Sequence, residues 1–288
     1  MNPAIRKDGV AVITGAAVGI GFAIARQLAC DEMQLVLLDR DANALALASA
    51  RLKAEFPKVI QRTIVGNIAD SSTINCAHEA ATELGDVALL VNNAAIMIGG
   101  GTPWEQPEIW RSVMEINFWS VLAMQQRFVD TMIGQTTPGA IVNIGSKEGI
   151  TTPPGNAAYN VSKGAVRILT EQLSHELRER VQGRITAHLL IPGYTFTPMN
   201  FPGSTFDTPK PAAPWSADQV AERLIDGMAT GSFYIFCEDN EVTREIDQRR
   251  MQWSIDDLIH DRPALSRWHP AWRAKFAEFL NGSPFTEQ

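Results

Sequence analysis

The most constraining stretch lies near the N-terminus. Val10-Ala11-Val12-Ile13-Thr14 runs without a break into Gly15-Ala16-Ala17-Val18-Gly19-Ile20-Gly21, and then into Phe22-Ala23-Ile24-Ala25. A short apolar, β-branched run of this kind reads as a strand covered on both faces. Ile20, Ala23, Ile24 and Leu28 then recur at helical spacing, so the glycines turn a strand directly into a helix. Glycines at 15, 19 and 21 suit a tight turn, close approach of the backbone to a pyrophosphate and close packing of the helix. The helix N-terminus offers such an anion free N–H groups and the positive end of its dipole.

The rest of the chain repeats the alternation. Strands are expected at Val10–Thr14, Leu35–Asp39, Gln61–Val65, Val87–Asn92, Ala140–Ile144, Arg184–Ile191 and Phe233–Cys237. They are short and apolar, as expected when helices cover both faces of the sheet. Helical patterns separate them at Ala42–Phe56, Ser71–Leu84, Pro107–Ile133, Ala157–Gln182 and Ser216–Ala229. This alternation implies an α/β fold, a doubly wound, seven-stranded parallel sheet that binds ligands at the C-terminal strand ends. With 45% hydrophobic residues, 288 residues can bury such a core. No repeat or interdomain linker is visible. Residues 1–237 are expected to form the dinucleotide-binding domain, with 238–288 as a helical C-terminal extension of it.

A second stretch carries chemistry: Ile141 to Lys163, IVNIGSKEGITTPPGNAAYNVSK. Tyr159 and Lys163 lie four apart and share one helix face. A tyrosine hydroxyl has a pKa of about 10, and an ammonium one turn away favours the phenolate. Ser146, at the end of the preceding strand, can hydrogen-bond the oxygen of a carbonyl or alcohol held against the tyrosine. Taken alone, Tyr-x-x-x-Lys is most often an ordinary helix face. Its weight comes from Ser146 and from the glycine turn upstream.

In that order, over roughly Val10 to Phe236, these motifs resemble the short-chain dehydrogenase/reductase family. Thr14-Gly15-x-x-x-Gly19-x-Gly21 matches its glycine motif, and Asn92-Asn93-Ala94-Ala95 its Asn-Asn-Ala-Gly, with alanine in place of the glycine. Ser146 stands thirteen residues before Tyr159, the family's usual spacing, and Gly145 replaces a common serine. The resemblance implies hydride transfer between a nicotinamide cofactor and a secondary alcohol or ketone. Tyr159 would be general acid/base, Lys163 would lower its pKa and bind the nicotinamide ribose, and Ser146 would orient the reacting oxygen. Asn117 matches the family's helix asparagine, which holds a water linking the lysine to solvent. Asn67, followed by Ile68, replaces the aspartate that contacts adenine. Val18 and Ile20 complete the glycine loop, and Asn93, Ala94 and Ala95 lie beside the cofactor. Pro192, Gly193, Thr195 and Thr197 match the turn that meets the nicotinamide carboxamide.

Asp39 ends the second strand, where a carboxylate can accept hydrogen bonds from the adenosine ribose hydroxyls and repel a 2′-phosphate. Its other reading is a helix cap or a surface turn. Arg40 could instead pair with a 2′-phosphate. No basic residue occupies the glycine loop, so NAD is favoured over NADP. An NADP-dependent carbonyl reductase and a non-catalytic dinucleotide-binding regulator are the alternatives.

Ile96, Met97 and Ile98, with the run Gly99–Gly101, read equally as core or as the mouth of the cleft. Residues 198–215 are rich in Pro, Gly, Ser and Thr, and suggest a substrate lid. Tyr194, Phe196, Met199, Phe201 and Phe206 would give it an apolar wall, pointing to a hydrophobic or aromatic substrate. Lys147 and Glu148 read either as a contact for a polar substrate group or as a solvated pair. The extension, with helical patterns at Glu241–Ile259 and from Pro270 to Gly282, would cap the cleft or a subunit contact. Trp110, Phe118, Trp119 and Phe128 read as helix packing. A homodimer through the long central helices is expected by resemblance. A tetramer is not, because the family's Val-Asp-Gly-Gly ending is missing. A net charge of −7 argues against nucleic acid or an anionic membrane surface. No long apolar run suggests a membrane span or signal peptide, and Cys30, Cys76 and Cys237 read as free thiols, so a cytoplasmic protein is expected.

Overall fold

The computed structural model describes residues 2–99, 102–205 and 207–282. Seven strands form one parallel sheet: β1 (Val10–Thr14), β2 (Gln34–Asp39), β3 (Gln61–Val65), β4 (Val87–Asn92), β5 (Gly139–Ile144), β6 (Ile185–Ile191) and, numbered ninth in chain order, β9 (Tyr234–Phe236). Their spatial order is β3-β2-β1-β4-β5-β6-β9. The winding reverses between β1 and β4, which leaves a crevice at their C-terminal ends.

Side chains alternate across the strands, so Ala11 and Ile13 enter one core layer and Val10 and Val12 the other. The first layer is closed by α1 (Gly19–Cys30), α2 (Ala42–Glu55) and α8 (Ala217–Ala229). The second is closed by α3 (Ser71–Leu84), α5 (Ser120–Gly134) and α7 (Ala157–Val181), with Phe128 fully buried at its centre. The expectation of strands covered on both faces fails at β3. It is an edge strand, mostly exposed, with Val65 56% accessible, because neither helical layer reaches fully across it.

The helix expected at Pro107–Ile133 forms with an interruption. Between α4 (Pro107–Met114) and α5, residues Glu115–Trp119 make a π-turn that carries Asn117. An interior asparagine of poor helix propensity is its sequence trace. A short helix, α6 (Glu148–Thr151), follows Ser146. Two-residue strands β7 (Thr195–Phe196) and β8 (Trp215–Ser216) pair to clasp both ends of the intervening loop. Ser216 also opens α8 with a reciprocal capping box to Gln219.

The extension folds onto the domain as α9 (Arg244–Ile259), a single 3₁₀ turn at Ser266–Trp268 and α10 (Arg273–Asn281). Trp253 joins them, with ring centroids 5.3 Å from Phe276 and 5.2 Å from Phe279, and its Nε1 donates to Ser266 Oγ at 2.7 Å. The extension is fastened at Lys147, whose Nζ lies 2.6 Å from Asp247 Oδ2 and 3.8 Å from an Asp239 carboxylate oxygen. Lys147 is therefore no solvated residue: it is an ion-pair anchor for α9. All three cysteines are free. No described helix is long and apolar enough to cross a membrane.

The Lys147–Asp247 side chains are 16% and 5% exposed, so removing the cation leaves a buried carboxylate unpaired. Lys147→Met is expected to cost about 3 kcal/mol or more in urea denaturation, and Lys147→Met/Asp247→Leu to recover much of that loss.

Candidate active site

A cavity of about 1000 Å³ opens at the C-terminal strand ends and runs from the glycine turn to the extension. At the first end, Gly19 adopts φ +57°, and a Cβ there would lie 3.2 Å from Thr197. A Cβ on Gly21 would sit 2.2 Å from the Gly15 carbonyl oxygen. Gly21 does not line the cavity. It lets α1 pack against the turn, the close helix packing expected of the glycines in this motif. Val18 caps α1 without a side-chain bond, and Gly15, Val18, Gly19 and Ile20 form the wall.

The turn is pinned from β4. Thr14 Oγ1 accepts from the Asn93 and Ala94 backbone N–H groups at 2.9 Å each. The Asn93 side-chain amide donates to the Thr14 and Gly15 carbonyls, also at 2.9 Å. Asn93 thus spends its donors on the turn. Next to it, buried Asn92 donates to Asn143 Oδ1 at 2.8 Å, and Asn143 donates to Thr170 Oγ1 at 2.9 Å. Ala94 and Ala95 line the cavity as expected.

Asp39 lies on the same wall. Its Oδ2 accepts from Ala17 N and its Oδ1 from Asp41 N, each at 3.1 Å, which turns the carboxylate toward the glycine loop. Exposed Arg40 and residues Asn67 and Ile68 complete this end. Asn67 Oδ1 accepts from Ala69 N at 3.2 Å, so one of its lone pairs serves its own turn.

Midway, Ser146, Tyr159 and Lys163 converge. Tyr159 is 8% and Lys163 4% exposed. Lys163 Nζ donates to the Ile144 carbonyl at 2.8 Å and stands 5.7 Å from the Tyr159 ring centroid. Ser146 hydrogen-bonds the phenol and accepts from Glu148 N at 3.1 Å. Burial, reinforced by the Glu148 carboxylate and opposed by the Ser146 bond, pushes the Tyr159 phenol up to about 12. Burial pulls the Lys163 ammonium down to about 8. The expected lowering of the phenol by its cation is therefore not what this geometry yields, because lost hydration outweighs it. Glu148 is itself raised by burial, against a hydrogen bond from Asn156.

Asn117 is fully buried and does not line the cavity. Its Oδ1 accepts from Ile96 N at 2.8 Å, and its Nδ2 donates to Ile96 O and Ser162 Oγ at 2.9 and 3.0 Å. It ties the exit of β4 to α7 and so positions the helix that carries Tyr159.

Beyond β6, Pro192, Gly193, Tyr194, Thr195, Thr197 and Met199 line the cavity, as does Met97 across from them. Phe196 does not. In a two-residue strand neighbours point to opposite sides, so with Thr195 inward Phe196 turns away and packs on Phe201, centroids 4.8 Å apart. Phe201 in turn packs on Tyr194 and is also absent from the wall. The expectations for Gly100, Gly101 and Phe206 fall outside the described residues.

The sequence left open whether the extension would cap the cleft or a subunit contact, and the structure places six of its residues on the cavity wall. Asp239, Glu241, Val242, Arg250, Arg267 and Trp268 all come from the extension. Burial and then the like charge of Arg250 push Arg267 down to about 10. Helical periodicity marked this segment but carried no sign of which neighbour it would meet.

The short chain dehydrogenase family model matches residues 9–205. The 1-deoxy-11-beta-hydroxypentalenate dehydrogenase of Streptomyces exfoliatus is 30% identical over 270 residues, covering 92% of this chain and 95% of its own length. Galactitol 2-dehydrogenase (L-tagatose-forming) of Cereibacter sphaeroides is 34% identical over 197 residues, 67% of this chain and 74% of its own. A short chain dehydrogenase/reductase from Burkholderia phymatum, solved in complex with NAD, superposes with a TM-score of 0.79. It is 29% identical, covering 90% of this chain and 97% of that one.

The depressed Lys163 has a sign that can be tested. Its pKa falls from 10.5 to about 8 on folding, so the unfolded chain binds more protons between those values and stability rises with pH across them. The unfolding free energy of the wild type minus that of Lys163→Met is expected to rise by roughly 3 kcal/mol between pH 8 and 10.5. Denaturant melts at each pH measure it, and a flat difference would remove the buried-ammonium description.

Proposed function

The chain belongs to the short-chain dehydrogenase/reductase family, and on that premise we propose that it is an NAD-dependent oxidoreductase interconverting a secondary alcohol and its ketone. One observation carries the reading. Ser146, Tyr159 and Lys163 line one cavity together with the glycine turn, Asp39 and residues of the C-terminal extension.

The residues present fit a dinucleotide. A Cβ at Gly19 or Gly21 would crowd the turn, α1 begins without a side-chain cap, and Asp39 stands where ribose hydroxyls would be held. Gly15 to Ile20, Asp39, Asn67, Ile68, Ala94, Ala95, Pro192, Gly193, Thr195 and Thr197 would hold it. When bound, it supplies or accepts the hydride.

The chain's own groups handle the proton. In reduction the Tyr159 hydroxyl donates to the oxygen of the former carbonyl. Burial, which raises the phenol to about 12, keeps it protonated but makes it a weaker acid than a free tyrosine. In oxidation Tyr159 must enter as the phenolate, which Ser146 and Lys163 stabilise, and it becomes the neutral phenol as it accepts the alcohol proton. Ser146 Oγ orients the reacting oxygen, and Asn117 holds α7 in place.

Asp39 supports NAD, because its charge would oppose a 2′-phosphate. Arg40 on the same wall favours NADP as the second reading. Ile96, Met97, Ile98, Met199 and Trp268 support a substrate with an apolar body. The loop between β7 and β8 reads as its lid. Exposed Trp119, Val161 and Ile168 on the π-turn and α7 support a homodimer through the central helices.

Tyr159→Phe is expected to lower turnover by about 10²- to 10⁴-fold while NADH binding, followed by fluorescence titration, persists. Near-wild-type turnover would end this mechanism. With secondary alcohols, NAD is expected to outperform NADP at equal concentration, and Asp39→Ser to narrow the gap. Equal or better rates with NADP in the wild type would reverse the assignment of Asp39.

A further inference from the structure

We propose that the substrate carries a carboxylate, held by Arg250 and Arg267 where the extension closes the cavity. This rests on the oxidoreductase reading and names the substrate class of that same site.

Both guanidiniums lie on the cavity wall and are partly buried. A desolvated guanidinium with five donors needs acceptors. Neither has a carboxylate within 4.0 Å among the described residues, and Arg250 Nε is buried without a hydrogen-bond partner. The acids that could neutralise them are engaged elsewhere or set apart. Asp247, one turn before Arg250, feels the charge of Arg250 and acts on Arg267, but its close contact is with Lys147 at 2.6 Å, and Asp239 lies 3.8 Å from the same ammonium. Glu148, on the Ser146 side, is raised by burial, and Glu241 is exposed. Arg267 is braced in place, its guanidinium 4.7 Å from the Trp268 ring and 5.1 Å from Phe276.

Position distinguishes this end from the cofactor end. α9, which carries Arg250, packs against α6, the turn immediately after Ser146. Asp39 and Asn67 belong to the opposite end of the crevice. The donor set suits a planar, bidentate anion, which a carboxylate provides. The apolar residues between the arginines and Ser146 would then meet the hydrocarbon body of a hydroxy or keto acid.

The test compares 3-hydroxybutanoate, 4-(1-hydroxyethyl)benzoate and 12-hydroxystearate with their methyl esters, since the span from carbinol to carboxylate sets which acid fits. The expected result is that at least one acid exceeds its ester in kcat/KM by about ten-fold or more, mainly through KM. In Arg250→Gln and Arg267→Gln that ratio is expected to fall toward one, with partial recovery in Arg250→Lys. Calorimetric titration with octanoate and octanamide reads binding without turnover, and the wild type is expected to bind the acid about ten-fold tighter. Esters used as well as acids, with octanoate bound no better than its amide, would overturn the carboxylate and leave the oxidoreductase intact. Octanoate selectivity lost in Arg250→Gln, with no alcohol oxidised by either cofactor, would uphold the anion site and overturn the oxidoreductase reading.

Discussion

The molecule depends on satisfying the backbone of one turn. Where β1 gives way to α1, polar groups leave the sheet ladder before the helix can take them up, and a buried unpaired carbonyl is costly. The Asn93 amide covers two of those carbonyls, and Thr14 covers two N–H groups in return. This reciprocal bonding locks β1 to β4 where the winding reverses. Gly21 allows α1 to close on the turn, so the crevice is rigid at the end where an anion would meet the helix dipole.

Burial then sets the chemistry in the middle of the crevice. Tyr159 and Lys163 each lose hydration, and both pKa values move toward the neutral form. The phenol holds its proton more tightly, and the ammonium, brought down to about 8, is anchored on the Ile144 carbonyl. Asn117 reaches both the β4 exit and α7, so the same contacts that shape the sheet fix the angle of the helix that carries Tyr159 and Lys163.

The extension supplies the third part. Lys147, next to Ser146, draws Asp247 and Asp239 inward and thereby brings α9 over the cavity. With those carboxylates committed to Lys147, the arginines on the same wall are left facing the interior. One division of charge thus fastens the extension and leaves Arg250 and Arg267 on the far wall with no carboxylate within 4.0 Å among the described residues.

The sequence by itself determined the sheet, its parallel sense and most element boundaries, because strand and helix periodicities are local properties of consecutive residues. It also singled out Ser146, Tyr159, Lys163 and Asp39, which the structure brings to the wall of one cavity. It placed Phe196 on the cavity wall, whereas the structure turns it onto Phe201, since which way a side chain faces in a two-residue strand depends on distant neighbours. Tertiary structure alone decided that Lys147 is an anchor, that burial reverses the expected shift of Tyr159, and that Arg250 and Arg267 reach the cavity. Those outcomes depend on hydration lost and charges met across roughly a hundred residues of chain, and no local pattern carries that information.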